Sequence, residues 1–393
     1  MNLAQSPPIK SETFAMIERL IGFDTTSRNS NLGLIEWTRD YLKGHGIESR
    51  LTYDAIGNKA NLFATVLKGN KPGIVLSGHT DVVPVDGQNW GSDPFKATLR
   101  GDRLYGRGAC DMKSYLAVAL IMAPRFAEAD LKAPIHLALS YDEEVGCIGV
   151  RGLLEDLARN NIRPAGAIIG EPTSMQPVIA HKGRRAYNCC VRGKEAHSAL
   201  TPQGVNAIEY AARIVSYIRH MAERLQTSES RDYGFDVPFT TMQTGVISGG
   251  TAGNIVPREC IFQFEFRYLP GVDPDTLERE IREYAERVIL PEMHRTDPDT
   301  GVSIEIKSDN PGLSMSETDE ITRLAQALAR KRSTAKVAYL TEGGLFQQAG
   351  IPAIICGPGS IEQAHRPDEY VTLEQVALCE SFMQRLLEQM CAA

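Results

Sequence analysis

The sequence lacks any apolar run long enough to cross a lipid bilayer. Its longest apolar runs, such as residues 115–123 (YLAVALIMA), are less than half as long as the roughly 20 residues that a membrane-spanning helix requires. The first 20 residues also lack the basic head and apolar stretch of a secretory signal peptide. We therefore expect a cytoplasmic protein that makes no contact with a membrane.

The eight cysteines lack the CxxC spacing that marks thiolate zinc sites and redox motifs. Their scattered positions do not indicate a disulfide framework either. We therefore expect reduced thiols, as in most cytoplasmic enzymes. The cysteines lie at positions 110, 147, 189, 190, 260, 356, 379 and 391.

The chain also has little basic charge. It contains 42 Lys and Arg against 49 Asp and Glu, which gives a formal net charge of −7. Because a nucleic-acid-binding surface needs a basic face, this balance argues against a nucleic-acid partner. The composition is otherwise that of a globular protein, and 393 residues suffice for two domains.

Strand-like and helix-like segments alternate through the first part of the chain. Apolar runs such as 73–78 (GIVLSG) and 134–144 (PIHLALSYDEE) are separated by amphipathic stretches such as 111–129. This rhythm predicts an α/β fold with a mostly parallel sheet that is covered on both faces. It resumes after residue 309, so we expect residues 1–182 and 310–393 to form one interrupted catalytic domain.

The intervening residues 183–309 have a different pattern. Strand, helix, two strands, helix and strand follow one another in the order βαββαβ, which is typical of a ferredoxin-like domain. The segments that carry this prediction are 184–193, 204–225, 240–250, 260–270, 275–289 and 301–309.

Titratable side chains occur where the predicted strands end and just before one predicted helix. In open α/β sheets, ligands bind beyond the carboxyl ends of the strands, so we expect these side chains to meet at one edge. They are His79, Asp81, Asp111, Asp142, Glu143, Glu144, Glu171 and His365.

Imidazoles and carboxylates in this combination are the ligands that zinc, cobalt or manganese accept. One His and one carboxylate could hold one ion, a second such pair could hold another, and a shared carboxylate could bridge them. Taken singly, each residue has a simpler interpretation as a polar loop start, a solvated turn or a surface histidine. Their joint occurrence at strand ends favours a metal site.

The spacing of residues within the HTD and DEE motifs predicts which side chains bind metal and which have other roles. Residues i and i+2 of an extended segment face the same way, so the Asp81 carboxylate is expected to hydrogen-bond the ring nitrogen of His79 that does not touch metal. Adjacent residues point apart. One of Glu143 and Glu144 is therefore expected to bind metal, and the other to act as acid or base.

Five segments resemble, in order, the metal-binding segments of the M20 family of metallohydrolases. They are SGHTDVVP, LYGRGACDMK, SYDEEVG, IGEPT and AHRPDEY. The resemblance covers essentially the whole chain. It implies a mostly parallel-sheet metallohydrolase catalytic domain with an inserted ferredoxin-like lid and dimerisation domain. The lid strands CIFQFEFRYL and TTMQTGVIS offer an apolar sheet edge, so we expect a homodimer through the lid.

The resemblance also implies roles for individual residues. His79 and Glu171 would hold one metal ion, Glu144 and His365 the other, and Asp111 would bridge both. Asp81 would support His79, and Glu143 would be the general base. In the lid, His197 would stabilise the oxyanion, from its own chain or from the partner subunit, while Asn254 and Arg267 would contact the substrate.

The implied reaction is hydrolysis of the amide bond of an N-acyl amino acid. The stretches HLALSYDEEVGCIGVRGL, GGTAGNIVP, FEFRYLPG and CGPGSIEQAHRPDEYV are most similar to members that act on N2-acetyl-L-ornithine in arginine biosynthesis. Succinyl-diaminopimelate, other N-acyl amino acids and dipeptides are alternative substrates. An alternative of another class is a metal- or metabolite-binding protein without activity. Two divalent ions are the expected cofactors, with zinc preferred over cobalt or manganese.

Overall fold

A computed structural model describes residues 9–67 and 71–391. The chain folds into two compact units. The first comprises the described residues up to Ala180, then Leu313–Lys336 and the described residues from Thr341 onward. The second comprises His181–Gly312 and Val337–Leu340, and the insert predicted over 183–309 lies within it.

Helices and strands follow one another along the chain in three stretches. The first contains α1 (Ser11–Ile21), α2 (Leu32–Gly44), β1 (Ser49–Tyr53), β2 (Ala60–Val66), β3 (Ile74–His79), β4 (Thr98–Arg100), β5 (Arg103–Tyr105), α3 (Lys113–Glu128), β6 (Ile135–Ser140), α4 (Gly149–Arg159), β7 (Gly166–Pro172) and β8 (Val178–His181). The second contains β9 (Gly183–Arg192), α5 (Ala207–Ser228), β10 (Thr241–Gly249), β11 (Glu259–Tyr268), α6 (Pro274–Tyr284), α7 (Leu290–His294) and β12 (Gly301–Asn310). The third contains β13 (Leu313–Ser314), α8 (Glu320–Ala329), β14 (Ala335–Val337), α9 (Gly343–Gln348), β15 (Ala353–Gly357), β16 (Tyr370–Thr372) and α10 (Leu373–Met390).

The first unit is built on a mixed sheet in the strand order β1-β2-β6-β3-β7-β15-β8-β13, with β14 paired to β8. Its central strands β6, β3, β7 and β15 are parallel. Strands β1, β2 and β8 pair antiparallel to their neighbours. This architecture confirms the predicted α/β class with a mostly parallel centre.

The central strands are continuous apolar runs because both of their faces are covered. Every residue of β3, β6, β7 and β15 is buried. Helix α3 is also buried over most of its length, and α1 and α10 pack against it. Strands with two buried faces have no reason to alternate apolar and polar residues, which explains the pattern in the sequence.

The register of the central strands sets their carboxyl ends level. His79, the last residue of β3, lies opposite Ser140, the last residue of β6. Ser77 lies opposite Ile169 of β7. His79 follows Ser77 by as many residues as Glu171 follows Ile169, so His79 and Glu171 lie at the same level. The side chains that follow these strands therefore emerge at one edge of the sheet.

The second unit is the predicted ferredoxin-like fold. Its antiparallel sheet has the order β10-β11-β9-β12, and α5 and α6 lie between the strands in the chain order βαββαβ. Alternate residues of β11, namely Phe262, Phe264 and Phe266, are buried in this unit's own core. None of the helices within the described residues has the length and hydropathy that a membrane crossing requires.

Replacing Gly170 by alanine tests the close packing of β7 on α3. A Cβ at Gly170 would lie 2.1 Å from ring atoms of Tyr115, whose hydroxyl is fixed by a hydrogen bond of 3.1 Å to the carbonyl of Ile168. Neither the backbone of β7 nor the ring of Tyr115 can move freely. We therefore expect Gly170→Ala to lower the free energy of unfolding by about 1–3 kcal/mol or more. Urea denaturation measures this change.

Gly152→Ala is the matched control, because a Cβ there meets no atom closer than 3.6 Å and the residue lies within α4. We expect this variant to be as stable as the wild type or more stable, by up to about 1 kcal/mol. A Gly170→Ala protein as stable as the wild type would show that the strand and helix are not packed as described.

Candidate metal centre

Five segments of the first unit deliver the predicted metal ligands to one edge of its sheet. His79 ends β3 and Glu171 lies on β7. Asp111 lies two residues before α3, Glu144 follows β6, and His365 follows β15. Asp111 and Glu171 are each 4% exposed and His79 is 1% exposed, so these three ligands are buried, whereas His365 is exposed.

Asp111 lies between the two histidines. Its Oδ1 is 3.0 Å from Nε2 of His79, and its Oδ2 is 3.4 Å from Nε2 of His365. Each carboxylate oxygen thus faces a different imidazole. Burial raises the pKa of this carboxyl, but the hydrogen bonds from His365 and His79 outweigh it and hold the pKa below its usual range.

A further carboxylate accompanies each histidine. Oε1 of Glu171 is 3.7 Å from Nε2 of His79, and Oε2 of Glu144 is 3.0 Å from Nε2 of His365. The structure therefore brings together two pairs, each of one imidazole and one carboxylate, with Asp111 between them. Ligand atoms of His79, Asp111 and Glu144 all lie within 4.8 Å of one another.

Two oxygens in this set have no hydrogen-bond partner among the described residues. They are Oε1 of Glu144 and Oε1 of Glu171, and both are buried. Burial also raises the pKa of Glu144 to about 7 and that of Glu171 well above its usual value. Buried carboxylates crowded in this way need cations. Their oxygens and the two imidazoles fit divalent ions of the zinc, cobalt and manganese type.

Asp81 supports this edge differently from the prediction. Nδ1 of His79 lies 2.8 Å from the backbone carbonyl of Asp81 and 3.6 Å from its carboxylate. The predicted hydrogen bond between the His79 ring and the Asp81 carboxylate is therefore wrong, because the ring nitrogen is bound to the carbonyl. Strand β3 ends at His79, so the extended alternation on which the prediction relied stops there.

The Asp81 carboxylate instead holds the turn after β6. It accepts hydrogen bonds from the backbone N–H groups of Glu143 at 3.1 Å and Glu144 at 3.3 Å, and from the hydroxyl of Ser27 at 2.7 Å. The two adjacent glutamates lie in this turn and not on an extended stretch. Asp142, which begins the turn with a left-handed φ of 54°, pairs with Lys59 at 2.5 Å.

Glu143 lies on the His79 side of the centre. Ligand atoms of His79, Glu143 and Glu171 lie within 4.8 Å of one another, whereas Glu144 contacts His365. The Cys147 thiol donates a hydrogen bond of 3.4 Å to Oε1 of Glu143. Burial raises the pKa of Glu143 well above its usual value, which favours its protonated form in the absence of cations.

A buried ion pair beside the centre escaped the sequence analysis. Arg107 and Glu369 are each 1% exposed, and Nη1 of Arg107 lies 2.7 Å from Oε2 of Glu369. Oε1 of Glu369 accepts hydrogen bonds from the N–H groups of Cys110 at 2.8 Å and Asp111 at 3.0 Å. Arg107 lies in the segment GRGACDMK and Glu369 in AHRPDEY. Their closeness in sequence to the predicted ligands Asp111 and His365 was the one signal that could have indicated a role at this site.

His197, Asn254 and Arg267 belong to the second unit. His197 is exposed and its Nδ1 accepts a hydrogen bond of 3.1 Å from the N–H of Ala199. The segment of Asn254 lies beside it, because the Asn254 carbonyl accepts a hydrogen bond of 3.0 Å from Ser198. Arg267 lies on β11 and contacts Glu265 at 3.3 Å.

Residues 75–389 match the sequence profile described as peptidase family M20/M25/M40. An acetylornithine deacetylase of Myxococcus xanthus is 35% identical over 96% of this chain and 97% of its own length. One from Pasteurella multocida is 32% identical over 92% of each chain.

Solved structures share the fold. Aminopeptidase PepT from Bacillus cereus superposes with a TM-score of 0.75 at 20% identity, over 98% of this chain and 99% of the other. The YXEP protein of Bacillus subtilis, described as a dinuclear metal-binding peptidase of the M20 family, gives 0.65 at 15% identity over 97% and 99%. At these identities the likeness concerns the fold alone.

Proposed function

The chain belongs to peptidase family M20/M25/M40, and from this premise we propose that it hydrolyses N2-acetyl-L-ornithine to acetate and L-ornithine. It is a metal-dependent hydrolase of that family. The choice of substrate rests on relatives named acetylornithine deacetylase, which are 32–35% identical over 92–96% of the chain. The proposed place of the reaction is arginine biosynthesis in the cytoplasm.

The observation that carries the chemistry is the position of Asp111 between two imidazole–carboxylate pairs. We assign one ion to His79 and Glu171 and the other to Glu144 and His365, with Asp111 as the shared ligand. Each pair supplies one nitrogen and one oxygen, which zinc accepts readily, and cobalt or manganese can replace it.

Two divalent ions bound here would lower the pKa of a water that they share and polarise the substrate carbonyl. Glu143 is assigned as the general base. It takes a proton from the attacking water and passes it to the nitrogen of the departing amine. The water oxygen bonds to the carbonyl carbon and the C–N bond breaks, so one water is consumed. The acetic acid formed gives its remaining proton to the amine, which leaves acetate and protonated L-ornithine. Asp81 acts on this step indirectly, because its carboxylate fixes the turn that carries Glu143.

The second unit is assigned to substrate binding as a lid. The exposed imidazole of His197 is proposed to donate a hydrogen bond to the oxyanion, in its own chain or in the partner subunit. Asn254 is proposed to contact the substrate. Arg267 is proposed to bind its α-carboxylate through two parallel hydrogen bonds, which a guanidinium forms readily with a carboxylate.

A panel of acyl substrates tests the choice of substrate. The panel contains N2-acetyl-L-ornithine, N-succinyl-L,L-diaminopimelate, a second N-acetyl amino acid and a dipeptide, each assayed with the same zinc-loaded protein. We expect N2-acetyl-L-ornithine to give the highest kcat/KM. If a succinyl or peptide substrate is preferred by about 100-fold or more, the assignment to acetylornithine is wrong while the amidohydrolase chemistry stands.

Replacing Glu143 by alanine tests the base. We expect kcat to fall by about 10²- to 10⁴-fold, because proton transfer to and from the reacting groups loses its carrier. The metal content, measured by mass spectrometry of the purified protein, should stay at the wild-type value because the assigned ligands are intact. Glu155→Ala, at an exposed position of α4, is the control and should keep full activity. Unchanged turnover of the Glu143 variant would refute its role.

We also propose a homodimer that forms through the second unit. Strand β10 is an edge of its sheet, and Val246 and Ile247 on it are 56% and 52% exposed. An open strand edge with apolar side chains favours pairing with another strand.

Light scattering tests this assembly. We expect about twice the chain mass of 43.2 kDa for the wild type, and the monomer mass for Ile247→Lys, because a lysine at a sheet edge opposes pairing. Ile56→Lys replaces a residue that is 82% exposed in the first unit and should leave the mass unchanged. A fully active wild-type monomer at micromolar concentration would contradict the proposal.

A further inference from the structure

His365 has an unusual backbone for a proposed metal ligand. Its φ of 63° lies in the left-handed region, and its side chain is 53% exposed. A non-glycine residue is strained in this region and keeps such a backbone only where its surroundings impose it. Strand pairing does not fix this residue, so other contacts must.

Two side chains hold the loop of His365 by its carbonyl groups. Nε2 of Gln88 donates a hydrogen bond of 3.0 Å to the carbonyl of His365, and Nη1 of Arg107 donates one of 3.3 Å to the carbonyl of Arg366. The two side chains also bind each other, since Nη2 of Arg107 lies 2.7 Å from Oε1 of Gln88.

The same arginine connects this loop to the loop of Asp111. Arg107 pairs with Oε2 of Glu369. Oε1 of Glu369 accepts hydrogen bonds from the backbone N–H groups of Cys110 and Asp111. We call Gln88, Arg107 and Glu369 the loop anchor. It holds the carbonyls of His365 and Arg366 by one hydrogen bond each, and it holds the N–H of Asp111 by one carboxylate oxygen.

The other proposed metal position has a different support. His79 and Glu171 lie within the paired central strands β3 and β7, and Nδ1 of His79 faces the carbonyl of Asp81. None of the hydrogen bonds described for Gln88 reaches either residue. One metal position is therefore built on strands, and the other depends on a loop held from outside.

We propose that Gln88 is the positioning residue of the loop anchor that sets the affinity of the metal position formed by Glu144 and His365, separately from the position formed by His79 and Glu171. This inference rests on the proposed assignment of the metal ligands. Partners of this kind orient the ligands themselves, and their loss typically costs about 10- to 100-fold in metal affinity.

Gln88→Ala is the test variant, because Gln88 is half-buried and its removal leaves the buried Arg107–Glu369 pair in place. Chelator-treated protein is titrated with Zn²⁺ alone by calorimetry, and bound metal is counted by mass spectrometry. We expect two sites in the wild type. In Gln88→Ala, one site should keep its affinity and the other should weaken about 10- to 100-fold.

Two further variants sharpen the result. Gln88→Glu retains an oxygen for Arg107 but loses the donor to the His365 carbonyl, and we expect it to weaken the same single site. Gln326→Ala is the matched control, because Nε2 of Gln326 likewise donates a hydrogen bond of 3.0 Å to a loop carbonyl, that of Arg332, and the residue is also half-buried. It should leave both affinities unchanged.

The weakened site is identified with His365→Ala. His365→Ala should lose the site that Gln88→Ala weakens. Adding Gln88→Ala to His365→Ala should leave the affinity of the remaining site unchanged. Equal weakening of both sites by Gln88→Ala, no weakening, or weakening of the site that remains in His365→Ala would each overturn the inference. Failure to cleave any acyl substrate would count against the proposed function alone, because the affinities are measured without substrate.

Discussion

Crowding of buried carboxylates at one edge of the sheet is the constraint on which the first unit depends. Asp111 and Glu171 are buried there and the side chain of Glu144 is 7% exposed, and burial raises the pKa of the two glutamates. Such a cluster is costly without cations, because ionised oxygens lose their hydration and repel one another. Divalent ions remove that cost, so folding and metal binding favour the same arrangement of side chains.

The central strands supply the rigidity that this arrangement needs. Strands β3, β6 and β7 are buried throughout, and their hydrogen-bonded register sets their carboxyl ends level. Two ligands, His79 and Glu171, are placed directly by strands. The other ligands emerge from turns and loops, where backbone N–H groups are held by hydrogen bonds that they donate to the carboxylates of Asp81 and Glu369.

The residues assigned to the metal ions and to proton transfer lie in a different unit from those assigned to substrate contact. The first unit contains every residue assigned to the metal ions and the proposed base, while the second contains His197, Asn254 and Arg267. Under the proposed assignments, a substitution at one of the substrate-contact residues would leave every metal ligand and the base in place.

The sequence by itself determined the α/β class, the βαββαβ insert and the set of residues that meet at the sheet edge. These follow from periodicity and from the rule that side chains after parallel strands emerge together. Tertiary structure decided which atoms touch. The carbonyl of Asp81, not its carboxylate, faces His79, and Glu143 and Glu144 lie in a turn.

The Arg107–Glu369 pair could not be predicted either, because it joins two loops that are far apart in the sequence. Glu369 binds the N–H of Cys110 across 259 positions of sequence. Periodicity gives the direction of a side chain only within a regular helix or strand. Contacts between loops depend on how the whole unit packs, and only the folded chain specifies that.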